Sequence, residues 1–462
     1  MNLWSSKDAA KATNGVSLND WVADGISIDT RTLKVGDLFV ALEDQRDGHD
    51  YVKVAFEKGA AAALVSKIPD GINKNSPLLV VEDVLCALEN MAAFARERTQ
   101  AKIIGVTGSV GKTSTKEMLK SILTKNGKTH AAEYSYNNHW GVPLTLARMP
   151  ERTDFAIIEI GMNNPNEIRP LAKLAKLDIA IVLNVAPVHL KAFKNVEGIA
   201  YAKAEIFESL SPNNTAIVNS DLTTSHILFN TIHKVRANLI SFGRMDVANY
   251  KLISSSLLNN KTFVKAKANG SDFTFDFDAE GDHFAMNSMA VFAAAEAVGV
   301  NRKNIINAIS NWTAPKGRGE RNLIRFGKGN IELIDESYNA NPTSMEAAIN
   351  VLSRSKTQGR KIAILGEMGE LGPDEIIFHS NLAKIDGIKE IDIFYLIGPM
   401  MRCFQNELPN QKHCLWFKDV DKLIIEIDKL ITINDTIMVK GSNYTKVSKI
   451  VESIKKLSID AG

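Results

Sequence analysis

The strongest constraint on this chain is the stretch Ile103-Ile104-Gly105-Val106-Thr107-Gly108-Ser109-Val110-Gly111-Lys112-Thr113-Ser114-Thr115. An apolar run enters a glycine-punctuated turn, meets Lys-Thr and passes into a helix-forming run, Lys116-Glu117-Met118-Leu119-Lys120. Strand, loop and helix N-terminus in that order make a phosphate-binding loop. Gly108 and Gly111 let backbone N–H groups approach phosphate oxygens, and the helix N-terminus adds partial positive charge at the same point. Phosphate contacts are therefore expected from Thr107, Gly108, Ser109, Val110, Gly111, Lys112, Thr113 and Ser114. Lys112 is expected to reach the β- and γ-phosphates of a nucleoside triphosphate, with the Thr113 hydroxyl on Mg²⁺. The strict pattern would need a glycine where Val106 stands; Gly105 is one residue early, so the stretch reads T-G-x-x-G-K-T. A glycine-rich turn with a surface lysine would explain neither the strand before the loop nor the Thr pair after it.

The chain has 462 residues, enough for two to four domains of ordinary size. The 55 basic and 53 acidic residues leave a net charge of +2, which gives no electrostatic case for a nucleic-acid partner. Cys86, Cys403 and Cys414 are few, odd in number and without metal spacing, which fits a reducing cytoplasm. Met1 to Asp8 carries no apolar signal core, and the longest apolar stretches, such as Ile179 to Val188, fall far short of a membrane span. A cytoplasmic protein is the expectation.

The pattern along the chain is α/β, in three parts. Residues 1–84 form a small α/β unit with strand-like Asp37–Leu42, Ala62–Val65 and Pro77–Val81 and a helix near Val54–Gly59. Ser27–Arg31 and Asp47–Tyr51 read as polar loops. Residues 85–314 begin with a helix over Leu85–Arg98. They continue as short apolar runs alternating with helices: Phe155–Ile160, Ile179–Asn184 and Ala216–Asn219 read as buried parallel strands. Lys251–Phe277 alternates polar and apolar residues around Asn259-Asn260 and Asn269-Gly270, which predicts a small antiparallel insertion before a helix over Asn287–Ala297. Pro315-Lys316-Gly317-Arg318-Gly319 reads as a joint. Residues 315–462 resume the α/β rhythm, Rossmann-like but without a dinucleotide glycine fingerprint.

In open parallel sheets ligands collect beyond the strands' carboxyl ends. Glu159 sits inside an apolar run, where a carboxylate is costly unless paired or bound to metal. His189 follows a strand. A carboxylate and an imidazole beside a phosphate loop suggest a second cation site, although a structural ion pair and a satisfied strand-end imidazole would account for them too. Lys203 on the helix Ile199–Phe207 reads, from spacing alone, as a solvated lysine. Asn287 either reads an adenine edge or, with His283, caps a helix. Arg318 between two glycines is a phosphate contact or a solvent-facing hinge residue. The run Ile334-Asp335-Glu336-Ser337-Tyr338-Asn339-Ala340-Asn341-Pro342 is a ligand site or a capped turn, and Gly366–Gly372 and Lys440-Gly441-Ser442 should lie on the same edge.

The loop Gly105–Thr113 resembles that of the Mur ligases, which form amide bonds in peptidoglycan precursors. Asn137-Asn138 through Leu146, Ser337–Pro342 and Gly366–Gly372 resemble the branch of that family that adds D-alanyl-D-alanine to UDP-N-acetylmuramoyl-tripeptide. The likeness runs from about Ser27 to Ser442. It implies three domains (uridine-binding, central ATPase-like, C-terminal Rossmann-like), ATP and Mg²⁺, and a monomer. It implies catalytic roles for Lys112, Glu159, His189, Lys203 and Arg318, with metal contacts from Thr113, Glu159, His189 and a carbamylated Lys203. Asn287, Arg318 and Glu336 would hold the nucleotide. Ser27, Thr30 and Arg31 would hold the UDP end; Asn137, Asn138, Tyr338, Asn339 and Asn341 would complete the substrate site. The resemblance departs at Glu336 and Thr343, where Asp is common, and at Asn443, where Arg is usual. Alternatives are a sister ligase adding the third amino acid, a folylpolyglutamate synthase or a regulatory P-loop NTPase; the Tyr338–Pro342 run argues against the first two.

Overall fold

The computed structural model describes residues 2–73, 75–258 and 261–457. The chain builds three main sheets in sequence order. The first has the order Val16–Ser17, Leu78–Val80, Ala62–Val65, Asp37–Val40, Gly25–Ser27 and is parallel except for its first strand. The helix Val84–Glu97, capped by the Asp83 carboxylate on the Cys86 N–H, lies between this unit and the next. Its Leu88 and Met91 bury with Leu38, Leu64 and Leu144, while Ala92 joins the core beyond.

The central sheet has nine strands in the order Ser271–Phe277, Lys261–Ala268, Tyr250–Leu258, Asn238–Gly243, Thr215–Asn219, Ile179–Val182, Lys102–Thr107, Phe155–Glu159, Thr129–Ala131. It is parallel from Tyr250–Leu258 to Thr129–Ala131. The predicted antiparallel insertion extends this same sheet by its edge. Its Asn269 and Gly270 both carry positive φ, +53° and +80°, as the two-residue turn between paired strands requires. The Asn259-Asn260 turn lies outside the described residues.

Apolar side chains alternate along the strand Lys102–Thr107. Ile104 and Val106 enter one core with the helices Lys112–Leu123 and Asp282–Ala297, and Ile103 enters the opposite one. This strand is therefore buried on both faces, and the chain leaves it at the point where the strand order reverses. Gly105 serves packing: a Cβ there would lie 2.5 Å from Leu177 Cδ1. The third sheet, Glu320–Phe326, Gly329–Glu336, Thr436–Lys440, Lys361–Gly366, Ile393–Ile397, His413–Phe417, is parallel except for its first strand.

The edge strand Thr129–Ala131 supplies one acid-sensitive group. His130 Nε2 donates to the Thr145 carbonyl at 2.7 Å, and desolvation pushes the imidazole pKa down to about 4. The folded state holds this ring neutral, whereas the unfolded chain protonates near pH 6.5. Its stability contribution is thus complete above pH 6.5 and lost as pH falls towards 4. His130→Gln keeps an N–H donor for Thr145. Urea titrations at pH 7.5 and 4.5 should show the parent losing about 2 kcal/mol more than this variant; equal losses would remove His130 from the acid response.

Candidate active site

The phosphate loop ends at Gly111, whose φ of +84° sets the N-cap of the helix Lys112–Leu123. A Cβ on Gly111 would fall 2.4 Å from Asn287 Nδ2, so glycine is needed both for backbone freedom and for that amide's approach. Asn184, at the end of the neighbouring strand, clips the loop from below. Its Oδ1 accepts from the Val110 N–H at 2.9 Å, and its Nδ2 donates to the Val110 carbonyl at 3.0 Å. Ser109 is held to Ala186 by two further bonds. The Lys112 ammonium rests on the Gly108 carbonyl at 2.8 Å.

Glu159 ends the strand beside the loop, in register with Val106, and is 1 % exposed. Thr113 Oγ1 donates to its Oε2 at 2.9 Å; Ser135 Oγ and Asn137 Nδ2 each donate to Oε1 at 2.7 Å. Burial alone would raise its pKa. The Lys112 charge, the Ser135 and Asn137 bonds and the Arg318 charge outweigh it, so the carboxyl is held below its ordinary range. Lys112 moves down, chiefly through burial, with Glu159 opposing and Arg318 adding to the fall. The site therefore keeps a buried anion beside the loop.

One cleft of about 540 Å³ collects most of the expected residues. Ser109, Val110, Gly111, Lys112, Thr113, Ser114, Asn137, Glu159, His189 and Asn287 come from the central sheet, and Arg318, Glu336, Tyr338, Asn339 and Asn341 from the C-terminal side. Arg318 is not a solvent-facing hinge residue: its guanidinium stacks 3.9 Å from the Tyr338 ring centroid. The flanking Gly317 and Gly319, with φ of +75° and +102°, are pinned to Asp335 through their N–H groups. Glu336 pairs with buried Lys440 at 3.3 Å. Asn341 also caps the helix Pro342–Arg354 in a reciprocal pair with Ser344, so the capped-turn reading holds there as well. Asn287 lies inside the helix Asp282–Ala297, which begins five residues earlier than expected, so neither it nor His283 caps that helix.

Other expected residues lie outside the cleft lining. The Thr107 hydroxyl is buried at the loop's foot without a hydrogen-bond partner among the described residues. Asn138 accepts from the Gly141 N–H at 2.9 Å. Ser27 Oγ donates to the Asp29 carbonyl, Arg31 forms a forked pair with Asp29, and the Thr30 carbonyl accepts from Lys58. All three belong to the carboxyl edge of the N-terminal sheet. Lys203 corrects the solvated reading: it is 2 % exposed, and its ammonium has no hydrogen bond or counter-ion among the described residues. Burial, with the Lys112 charge nearby, drives its pKa well below the usual lysine range. His189 Nδ1 meets Glu370 Oε2 at 2.5 Å rather than a backbone carbonyl.

Sequence reasoning missed Ser135, Asn184 and Lys116, and reached Glu370 only as part of the stretch Gly366–Gly372. Lys116 is fully buried and donates to the carbonyls of Ala132 and Tyr134, fixing the segment that carries Ser135 and Asn137. A lysine one helical turn after Lys112 was the available signal.

A glycine-cradled helix N-terminus, a buried anion sharing a hydroxyl with it and a cationic opposite wall define an α/β protein built to move phosphoryl groups. Comparisons with known proteins agree. Residues 106–295 match the Mur ligase middle domain and residues 318–443 the Mur ligase glutamate ligase domain. The UDP-N-acetylmuramoyl-tripeptide–D-alanyl-D-alanine ligase of Rickettsia prowazekii (strain Madrid E) is 34 % identical over 97 % of this chain and 99 % of its own length. The enzyme of the same name from Bacillus subtilis (strain 168) is 31 % identical over 97 % of each chain. The crystal structure of MurF from Acinetobacter baumannii superposes with a TM-score of 0.84 at 27 % identity, covering 98 % of this chain and 99 % of that one. The chain belongs to the Mur ligase family. Both full-length relatives fall in the branch of that family that carries D-alanyl-D-alanine in its name.

Proposed function

We propose that this chain is an ATP-dependent ligase that joins D-alanyl-D-alanine to UDP-N-acetylmuramoyl-tripeptide, giving the UDP-pentapeptide precursor of peptidoglycan. The observation that supports it most directly is the single cleft in which the phosphate loop and Glu159 face Arg318 and the Tyr338–Asn341 segment. Both halves of an activate-then-acylate reaction need such a shared space.

In the first half, an oxygen of the tripeptide's terminal carboxylate takes the γ-phosphoryl group of ATP, forming a P–O bond as ADP leaves. The product is an acyl phosphate. In the second, the amine of D-alanyl-D-alanine attacks the acyl carbon, the C–N bond forms, phosphate leaves and the nitrogen gives up a proton. The reacting groups of the first half are anionic, so Lys112 and Arg318 offset their charge and the loop amides align the transfer. Asn287 would hold the adenine and Glu336 the ribose. The donor set fits Mg²⁺: the Thr113 hydroxyl and the Glu159 carboxylate are hard oxygen ligands, and Lys203, buried without a hydrogen bond among the described residues, would become an anionic ligand once its amine takes up CO₂. Mg²⁺ held there, and a second ion at His189, would supply further positive charge to the phosphates. Ser27, Thr30 and Arg31 would bind the UDP end, with Asn137, Asn138, Tyr338, Asn339 and Asn341 along the peptide. Residues 1–84, 85–314 and 315–462 would act as substrate, nucleotide and ligase domains of a cytoplasmic monomer. Acyl phosphates hydrolyse readily, so the C-terminal part closing about Gly317–Gly319 would exclude water.

The test is phosphate release with ATP and Mg²⁺, omitting one substrate at a time, with mass spectrometry of the product. Release that needs both substrates and yields the UDP-pentapeptide is the expected result. Release without either would favour a regulatory NTPase. A product only with a free amino acid or glutamate would move the chain to a sister ligase.

A further inference from the structure

The turn Gly366–Gly372 of the C-terminal part meets the His189 turn of the central part. Both His189 and Glu370 hold a left-handed backbone, with φ of +52° and +61°, a region uncommon outside glycine although histidine visits it more often than most residues. Gly372 is left-handed too, at +70°. A Cβ on it would stand 3.3 Å from the Leu190 carbonyl carbon and from the Lys191 nitrogen. The two turns thus approach backbone to backbone, and this approach brings the Glu370 carboxylate to His189 Nδ1 at 2.5 Å. Among the described residues the Glu370 side chain makes no other hydrogen bond, and His189 Nε2 makes none. A left-handed non-glycine residue on each side of one contact, with Gly372 allowing the backbones to meet, marks this junction as a specific approach of the two turns.

We infer that Glu370 is a positioning residue for His189, delivered from the C-terminal part, so that the imidazole is set for an ion only when the two parts are docked. A neutral imidazole carries one ring proton. An acceptor at Nδ1 fixes the proton there and leaves the Nε2 lone pair free, which is how carboxylates orient ligating histidines. Without Glu370 the ring of a partly exposed turn residue samples both tautomers and more than one rotamer. The inference rests on the proposed role of His189 as an ion ligand, and it makes docking of the C-terminal part a condition for completing that second site.

The experiment uses the full chain labelled with ¹⁵N, reading the two-bond ¹H–¹⁵N correlations of its histidine rings at pH 8, with His189→Gln to assign the signal. The parent should show protonated Nδ1 and bare Nε2. Glu370→Ala should show shifts averaged between tautomers, and Glu370→Gln, whose amide oxygen still accepts, should return the parent pattern. Gly372→Ala keeps the carboxylate but obstructs the approach, and should match Glu370→Ala; it also serves if that variant fails to fold. In turnover, Glu370→Ala should raise the half-saturating Mg²⁺ concentration about tenfold, leave the KM for D-alanyl-D-alanine within about twofold, and be rescued by Glu370→Gln. Parent-like ring shifts in Glu370→Ala, or an unchanged Mg²⁺ requirement beside normal turnover, would overturn the inference. If the parent has no ligase activity, the ligase reading fails by itself and the ring shifts alone decide the contact.

Discussion

Replacing Lys112 with alanine should lower kcat/KM for ATP by roughly 10³-fold, about 4 kcal/mol of transition-state stabilisation. The size follows from the setting. Lys112 opens the helix at the phosphate loop, its ammonium lies 2.8 Å from the Gly108 carbonyl, and it is the leading charge that keeps Glu159 ionised. Its loss would take a cation from the proposed phosphate site and free the buried Glu159 carboxyl to rise in pKa, so two features of the site would fail together. Lys112→Arg should not restore the rate, because a planar guanidinium cannot take the place of a compact ammonium under the loop. The fold should survive, since the helix Lys112–Leu123 is anchored by Met118, Leu119, Ile122 and Leu123 in the core. Far-UV circular dichroism would check this beside the phosphate-release assay. Near-normal kcat in Lys112→Ala would refute the phosphate site.

Periodicity made the buried elements legible. Strands such as Phe155–Glu159, Ile179–Val182 and Thr215–Asn219 are buried on both faces, which suits an internal strand of a parallel sheet. Two edge strands were not legible. Glu320–Phe326 and Thr129–Ala131 carry too much polar character to stand out, because one side of each meets solvent or a cleft. Asn238–Gly243 and His413–Phe417 were missed for a related reason, since only part of each is buried. The loop and Glu159 could be placed because their order along the chain mirrors their order in space. Contacts between distant segments could not: Asn184 with Val110, Ser135 with Glu159 and His189 with Glu370 are set by sheet order and by how the parts dock. Lys203 is the sharpest case. Its helix, Val196–Ala204, shows weak amphipathicity because Ala200, Ala202 and Ala204 bury on several sides, so spacing gave no sign that the lysine points inward.

That burial supports the second large effect. An amine 2 % exposed, with no acceptor among the described residues and with Lys112 repelling its charge, is costly to keep. Lys203→Met fills nearly the same volume without a polar atom. Stability should therefore stay within about 1 kcal/mol of the parent or improve, while turnover should fall by about 10²-fold or more. A residue that only packed would show the opposite ranking. The chemistry that would separate the cases is the proposed carbamate formation: the amine nitrogen would attack CO₂ and lose a proton, leaving an anion where the amine was. Equilibrating the parent with ¹³C-bicarbonate should give a carbamate resonance that Lys203→Met lacks, and Lys203→Glu should recover part of the lost rate by supplying a carboxylate on a shorter stem. Turnover in Lys203→Met above about a tenth of the parent would show that the buried amine is structural and that the Mg²⁺ set ends at Thr113, Glu159 and His189.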